Sequence, residues 1–561
     1  MPAVEFNRYY RYDELTKLLQ AFADEHPDLI RLESIGKSHE GRDIWLLTVT
    51  DFSTGEPTTK PGFWCDGNIH ASEVSASTAV LNILYKLVSQ KPDVLQSRVF
   101  YLVPRLNPDG AEWALADVPK IIRSGTRPYP FDEEDPYGLE REDVDGDGRI
   151  LTMRVKDATG PWKISEEEPR LMQRREPGET GGEYYRLLPE GVFHNFDGLT
   201  LRGRKIKEGL DFNRNFPSGW RPESEQHGAG PFPTSEPEIR AAVQAITDRA
   251  NICGAITYHT FSGVILRVPG RCPDDDLEPE DVWTMKQLGA KGTEMSGYPT
   301  ISVWHDFKYH PKDSITGVFD DWVFDHLGVY GWTVEIWSPQ RQAGITDYKY
   351  IDWFRDHPFE HEVQMLKWSD EKLDGKGHID WYPYDHPQLG EIEIGGWDAM
   401  YAFRNPPPNY LEKEIGPLAD WAIWMAGTTP CLEPRDIEIE PMGNVTRIRF
   451  AVQNSGFLPT SVTEHAGKKK IVRGVVAEIS VVGEDRDSKG EDEPVWLISG
   501  KLRQEAGQLK GWAHVPASGF GWHLDSTDQV CVFEWVVKSG NTYRLQAHHQ
   551  RAGRISSEMS V

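Results

Sequence analysis

The sequence predicts a large α/β region followed by a small all-β sandwich, and three observations carry that prediction. At 561 residues the chain exceeds what one hydrophobic core usually organises. Helical and strand-like periodicities alternate through its first part. Beyond a Gly-Thr-Thr-Pro break within Gly427–Asp436, only strand patterns recur. The expected division is residues 1–428, with an insertion at about 129–200, and residues 436–561.

Each element follows from its pattern. Leu15, Leu18, Leu19 and Phe22 recur at helical spacing and predict a helix over Tyr12–Ala23, followed by a buried strand at Ile44–Val49. Gly62–Asp66 and Val99–Val103 repeat the strand pattern. Between them Val80, Ile83, Leu84, Leu87 and Val88 form one apolar helix face. Residues 129–200 break this rhythm with Pro, Gly and charged residues, among them the run Asp143-Val144-Asp145-Gly146-Asp147-Gly148. Ser235 and Glu238 predict a capping box around Pro237, opening a helix that leads to a strand at Ala255–Tyr258. Trp332–Ile336 is the last strand expected in the first region. The second region reads as strands at Val445–Val452, Val475–Val482, Val495–Ile498, Val530–Val537 and Tyr543–His548, the pattern of a sandwich.

Composition narrows the function classes. A formal charge of −27 repels nucleic acid and anionic membranes, both of which are bound through Lys and Arg, so neither is an expected partner. No stretch is long and apolar enough to span a bilayer. Five scattered cysteines without a CxxC pair argue against a disulfide framework or a thiolate metal site. The expectation is a cytoplasmic protein, although removal of a secretory signal would leave the same sequence.

The chemistry-bearing residues fall at strand ends. His70-Ala71-Ser72-Glu73 follows the strand at Gly62–Asp66, where ligands of open α/β sheets gather, and an imidazole with a carboxylate is a partial ligand set for Zn²⁺. His259 directly follows the strand at Ala255–Tyr258. As a third ligand it would leave a coordination position for water; taken alone it reads as a core histidine, and only its company favours a ligand. Glu335 is an ionisable residue inside a buried strand, which calls for either a salt-bridge partner or a catalytic task. In Asp211-Phe212-Asn213-Arg214-Asn215, an Arg fork between two amides suits recognition of a carboxylate, or is a polar loop.

Taken together and in order, His70-x-x-Glu73, Asn107-Pro108-Asp109-Gly110, Asn213-Arg214, His259 and Thr333-Val334-Glu335 resemble the zinc carboxypeptidases of the carboxypeptidase A type, over roughly Tyr9 to Ser338. The resemblance implies a mixed central sheet flanked by helices and zinc held by His70, Glu73 and His259. It also implies Glu335 as general base and acid, and Asn213 with Arg214 gripping the free C-terminal carboxylate of a peptide. Asp211 then supports the first zinc histidine. Arg123 matches the arginine that stabilises the oxyanion, with Arg127 as the competing assignment.

Three features depart from or extend this pattern. The family's mobile tyrosine has Tyr309 as its nearest counterpart, and it is left out of the catalytic set. Asp320 resembles the position that selects the terminal side chain and favours Lys or Arg there, whereas Arg267 would recruit an acidic one. Asp143, Asp145 and Asp147 before Gly148 resemble the first half of a calcium loop, making Ca²⁺ a second candidate ion, but the twelfth position is Arg154 instead of Glu. Two rival functions remain at this level. One is an amidohydrolase of the same scaffold acting on cell-wall peptides or glutamate isopeptides. The other is an inactive binding module using Trp496, Trp512 and Trp522.

Overall fold

The computed structural model describes residues 1–129, 137–308, 312, 314–483, 494–515 and 525–561. An eight-stranded sheet organises the first region. Its strands are β1 (Ile30–Lys37), β2 (Asp43–Val49), β3 (Gly62–Gly67), β4 (Val99–Val103), β5 (Ile252–Thr260), β6 (Val264–Arg267), β7 (Thr300–Ser302) and β8 (Tyr330–Ile336). They lie in the order β1-β2-β4-β3-β5-β8-β6-β7. The centre β4-β3-β5-β8 is parallel and both flanks bring in antiparallel pairs, so the sheet is mixed. Every residue of β3, β4 and β5 is buried, which explains why these strands read as continuous apolar runs and not as alternation.

The helix after β3, Val74–Gln90, departs from the amphipathic reading. It is buried along most of its length because one face packs on β3 and β5 while the helix Pro408–Gly427 covers another. Gly67 lets this helix sit close: a Cβ there would lie 2.5 Å from the backbone carbonyl oxygen of Ala76. Gly67→Ala is therefore expected to destabilise the protein by about 1–3 kcal/mol, measurable as a lowered denaturant midpoint.

The helix Pro237–Thr247 starts at its proline, but the capping box does not form. Ser235 Oγ instead donates to Glu236 Oε1 and accepts from Asn215, while Glu238 accepts from the His39 amide. The excursion after residue 129 is not irregular chain. Its strands Thr152–Lys156, Tyr185–Pro189, Trp162–Ile164 and Met172–Arg174 join two later strands, His378–His386 and Gly390–Trp397, in a six-stranded sheet. Trp332–Ile336 is thus not the last strand before the sandwich. The later pair was hidden by its aromatic, acidic and half-exposed composition, since its apolar partners come from more than 200 residues upstream.

Residues from Leu432 onward form two four-stranded antiparallel sheets around one core that includes Phe450, Ile479, Trp535 and Leu545. Strands Leu432–Met442 and Gly553–Ser560 escape sequence detection because their exposed faces are highly charged or polar. This region docks firmly on the first. The Arg551 guanidinium is buried and donates to the carbonyls of Leu327, Gly328 and Ser461, and Asp281 accepts from the amides of Glu464 and His465. Trp496 packs against Tyr543 at 5.3 Å, so it belongs to the sandwich. Trp512 is 61% exposed, and Trp522 lies outside the described residues. Among the described residues no helix is long and apolar enough to cross a membrane.

Candidate metal centre

The sheet brings three sequence-distant groups together. β3, β5 and β8 are neighbours, and the turn after β3 carries His70 and Glu73, with Glu73 at the N-cap of the following helix. β5 delivers His259 at its end. The Nδ1 atoms of His70 and His259 face each other at 3.1 Å. The Glu73 carboxylate closes the triangle, with Oε1 3.0 Å from His70 and Oε2 3.2 Å from His259. All three side chains are buried. Two imidazole nitrogens and a carboxylate converging this closely in the interior repel or leave lone pairs unmatched without a cation, and the donor set suits zinc.

The outer ring nitrogens fix which lone pairs point inward. His70 Nε2 donates to Asp211 Oδ1 at 3.1 Å. Thr257 Oγ1 donates its single proton to Asp66 Oδ1 at 2.6 Å, so it accepts from His259 Nε2 at 3.3 Å. Burial pushes His259 down to about 4, so the ring is neutral and its Nδ1 lone pair is available. Burial also raises Asp66 to about 6, against hydrogen bonds from Thr257 and Trp64 that hold it down. Thr257→Val removes the acceptor for His259 and is expected to weaken zinc binding by about tenfold or more, measured by competition with a chelator.

Glu335 lies beside His259 in the parallel β5–β8 register, so the two side chains leave the sheet on the same face. Burial first, and then the Glu73 carboxylate, push Glu335 well above the usual carboxylate range. Arg123 reaches the centre, with Nε 2.9 Å from Asp211 Oδ2 and Nη1 3.4 Å from Glu73 Oε1. Arg127 is directed elsewhere: it pairs with the buried Glu236. For Asp211, burial opposes ionisation, yet Arg123, Arg214 and His70 hold it well below its ordinary value.

The Asn213–Arg214 pair sits on the short 3₁₀ turn Phe212–Arg214, which begins with Asp211 accepting from the Asn213 amide. Asn213 Oδ1 accepts from the Phe319 amide at 2.9 Å, which orients its NH₂ group and ties this turn to the segment carrying Asp320. Arg214 Nη1 donates to Asn213 O at 2.7 Å. Asp320 is buried in the helix Phe319–Trp322, and burial raises it to about 6. A Cβ on Gly331 of β8 would lie 2.8 Å from Asp320 O, so only glycine lets this helix approach the sheet. Arg267 does not compete for the same role: it forms a two-pronged salt bridge to Asp274 at 2.7 and 2.6 Å.

The acidic loop closes on itself. Asp143 accepts from the amides of Gly146, Asp147 and Gly148, Asp145 bonds Tyr382, and Asp147 pairs with Arg149. The three carboxylates do come within 4.8 Å of one another. Even so, Arg154, where a calcium loop needs its closing Glu, is paired with Glu393, and nothing further favours Ca²⁺ there. Tyr309 lies outside the described residues.

Sequence reasoning missed two contributors. Arg404, on the π-helical turn Ala399–Arg404, places Nη1 3.5 Å from Glu73 Oε1, and nothing local in the sequence announces it. Asp66, an acid within an all-buried strand, carried the same signal that singled out Glu335. Two cavities lie next to Ser72 and Arg404 and also share Ile121, Arg141, Leu188 and Pro189. One, of about 630 Å³, has eight Lys and Arg residues in a mixed lining, and the other, of about 550 Å³, is more apolar and touches Phe261 and Phe403.

The zinc carboxypeptidase family matches residues 15–141 and 166–355, and a domain of unknown function matches residues 431–560. The chain is 33% identical over 117 residues to carboxypeptidase B of Astacus astacus, covering 20% of this chain and 37% of that protein. It is 24% identical over 293 residues to a metallocarboxypeptidase A-like protein of Trichophyton verrucosum, covering 49% of this chain and 51% of that one. The alignments thus span about a third to a half of these curated relatives. A solved structure of thrombin activatable fibrinolysis inhibitor aligns over 75% of this chain and 74% of its own at 16% identity, with a TM-score of 0.42.

Proposed function

This chain belongs to the zinc carboxypeptidase family, and from that premise we propose that it hydrolyses the C-terminal peptide bond of peptides with a free terminal carboxylate. The carrying observation is the buried His70–Glu73–His259 triangle at adjacent strand ends with Glu335 in register beside it.

His70, Glu73 and His259 would hold zinc, which supplies Lewis acidity toward the scissile carbonyl and acidifies water. Glu335 takes the proton of the attacking water and delivers it to the leaving amine. Arg123, held by Asp211, donates to the developing oxyanion. Arg404 stands on the same carboxylate of Glu73 and assists there. Asn213 and Arg214 grip the terminal carboxylate, which makes the reaction exopeptidic. Catalysis on this reading resides in residues 1–428, and residues 436–561 form a separate β unit.

Asp320 selects a basic terminal residue. Its rival Arg267 is neutralised by Asp274, and burial with the neighbouring Asp320 keeps Asp321 well above its ordinary value, leaving Asp320 as the charge of this segment at neutral pH. Peptides ending in Lys, Glu and Phe, assayed with zinc quantified in the same sample, test this: Lys is expected to exceed Phe by about tenfold or more in kcat/KM. Because Asp320 is raised to about 6, the Lys preference is present above that pH and fades as the pH falls through it. Equal rates for all three peptides would reject the pocket assignment.

A further inference from the structure

Three buried asparagines hold the metal-bearing turn between β3 and the helix Val74–Gln90. Asn107 Nδ2 donates to Ile69 O at 3.2 Å, and Asn68 Nδ2 donates to His70 O at 2.7 Å and Ala71 O at 3.2 Å. Asn405 Nδ2 donates to Ser72 O at 2.8 Å. Each of the successive carbonyls from Ile69 to Ser72 thus meets a carboxamide, and the turn is braced at every peptide leading to Glu73. Two of these asparagines stand near the turn along the chain. Asn405 arrives from more than 300 residues downstream, beyond the residues that match the family.

Asn405 also takes a place that Glu73 leaves open. A helix begins with amides that have no intrahelical partner, and the N-cap side chain ordinarily accepts from one of them. Glu73 is the N-cap here and makes no such bond; its carboxylate faces His70 and His259 and accepts from the Thr260 amide. Asn405 Oδ1 accepts instead from the amide of Ser75, the second residue of the helix, at 3.0 Å. A carboxylate at a helix start is drawn to the free amides there, so an acceptor supplied from outside removes that competition. One carboxamide therefore bonds on both sides of Glu73, and Nδ2 also donates to Met400 O at 3.1 Å. Its support is itself fixed, since Trp337, directly after β8, donates Nε1 to Ala402 O at 2.9 Å and ties the turn Ala399–Arg404 to the strand of Glu335. We propose that Asn405 is a positioning residue for the metal centre, capping the helix in place of Glu73 so that the Glu73 carboxylate is held toward the two histidines. This rests on the zinc reading of the centre.

The test titrates zinc, in competition with a chelator, into metal-free full-length wild type, Asn405→Ala and Asn405→Asp, with denaturant midpoints measured on the same samples. Asn405→Ala removes the bonds on both sides of Glu73 and is expected to weaken zinc binding by about 10- to 100-fold, the range for partners that orient metal ligands. Asn405→Asp is nearly isosteric and keeps the acceptor for the Ser75 amide while losing the donor to Ser72 O, so it should fall between, weaker than wild type by at least about threefold. Should Asn405→Ala fail to fold, Asn405→Asp carries the comparison. At saturating zinc both variants should lower kcat and leave KM within about twofold, because neither touches Asn213 or Arg214. A residue that only supports the fold would lower the midpoint of the metal-free chain and leave zinc affinity within about twofold of wild type, and that result overturns the proposal. A wild-type chain that takes up no zinc rejects the metal reading itself, whereas tight zinc binding unchanged by either substitution rejects only the role of Asn405.

Discussion

Glu335→Gln is expected to lower kcat by about 10³-fold or more, equivalent to about 4 kcal/mol of barrier, while one zinc per chain stays bound. Gln keeps the shape of the side chain on β8 and can still donate and accept hydrogen bonds, but it cannot take a proton. The three groups that converge for the metal lie on other segments, so the substitution removes proton transfer and leaves the ligand triangle intact. Single-turnover hydrolysis alongside metal analysis reads both quantities. A variant with kcat within about tenfold of wild type would falsify the proton-transfer role, and one that loses its zinc would make Glu335 a ligand instead.

Arg214→Gln is expected to reduce kcat/KM by about 30- to 150-fold, the loss of a charge-assisted carboxylate contact worth about 2–3 kcal/mol. The guanidinium is nearly buried, and one of its nitrogens is fixed by Asn213 O at 2.7 Å, so the fork is preorganised before substrate arrives. Amidating the peptide C-terminus should cost the wild-type enzyme a similar factor and the variant much less, since both changes remove the same ion pair. Equal cleavage of acid and amide peptides by the wild-type chain would reject the exopeptidase reading.

How much was legible in advance depended on the range of the interaction. Helix Tyr12–Glu25 and strand Val99–Val103 were readable because their apolar spacing is local. Strands His378–His386 and Gly390–Trp397 were not, since their burial is supplied by the excursion's strands far upstream. The capping box at Pro237 failed for a related reason. Its two side chains found stronger tertiary partners in Asn215, Glu236 and His39.

The sequence by itself determined the candidate metal ligands and the proposed general base. His70, Glu73, His259 and Glu335 stand at the ends of strands whose apolar runs are unmistakable, and Asn213-Arg214 is a contiguous pair. Only the tertiary structure decided their surroundings. Arg404 arrives from more than 300 residues after Glu73, Thr257 is oriented by Asp66 on the neighbouring strand, and Arg267 is withdrawn by Asp274. Ligand chemistry is written in residue type and local spacing, whereas charge balance and positioning depend on which distant segments the sheet brings into contact.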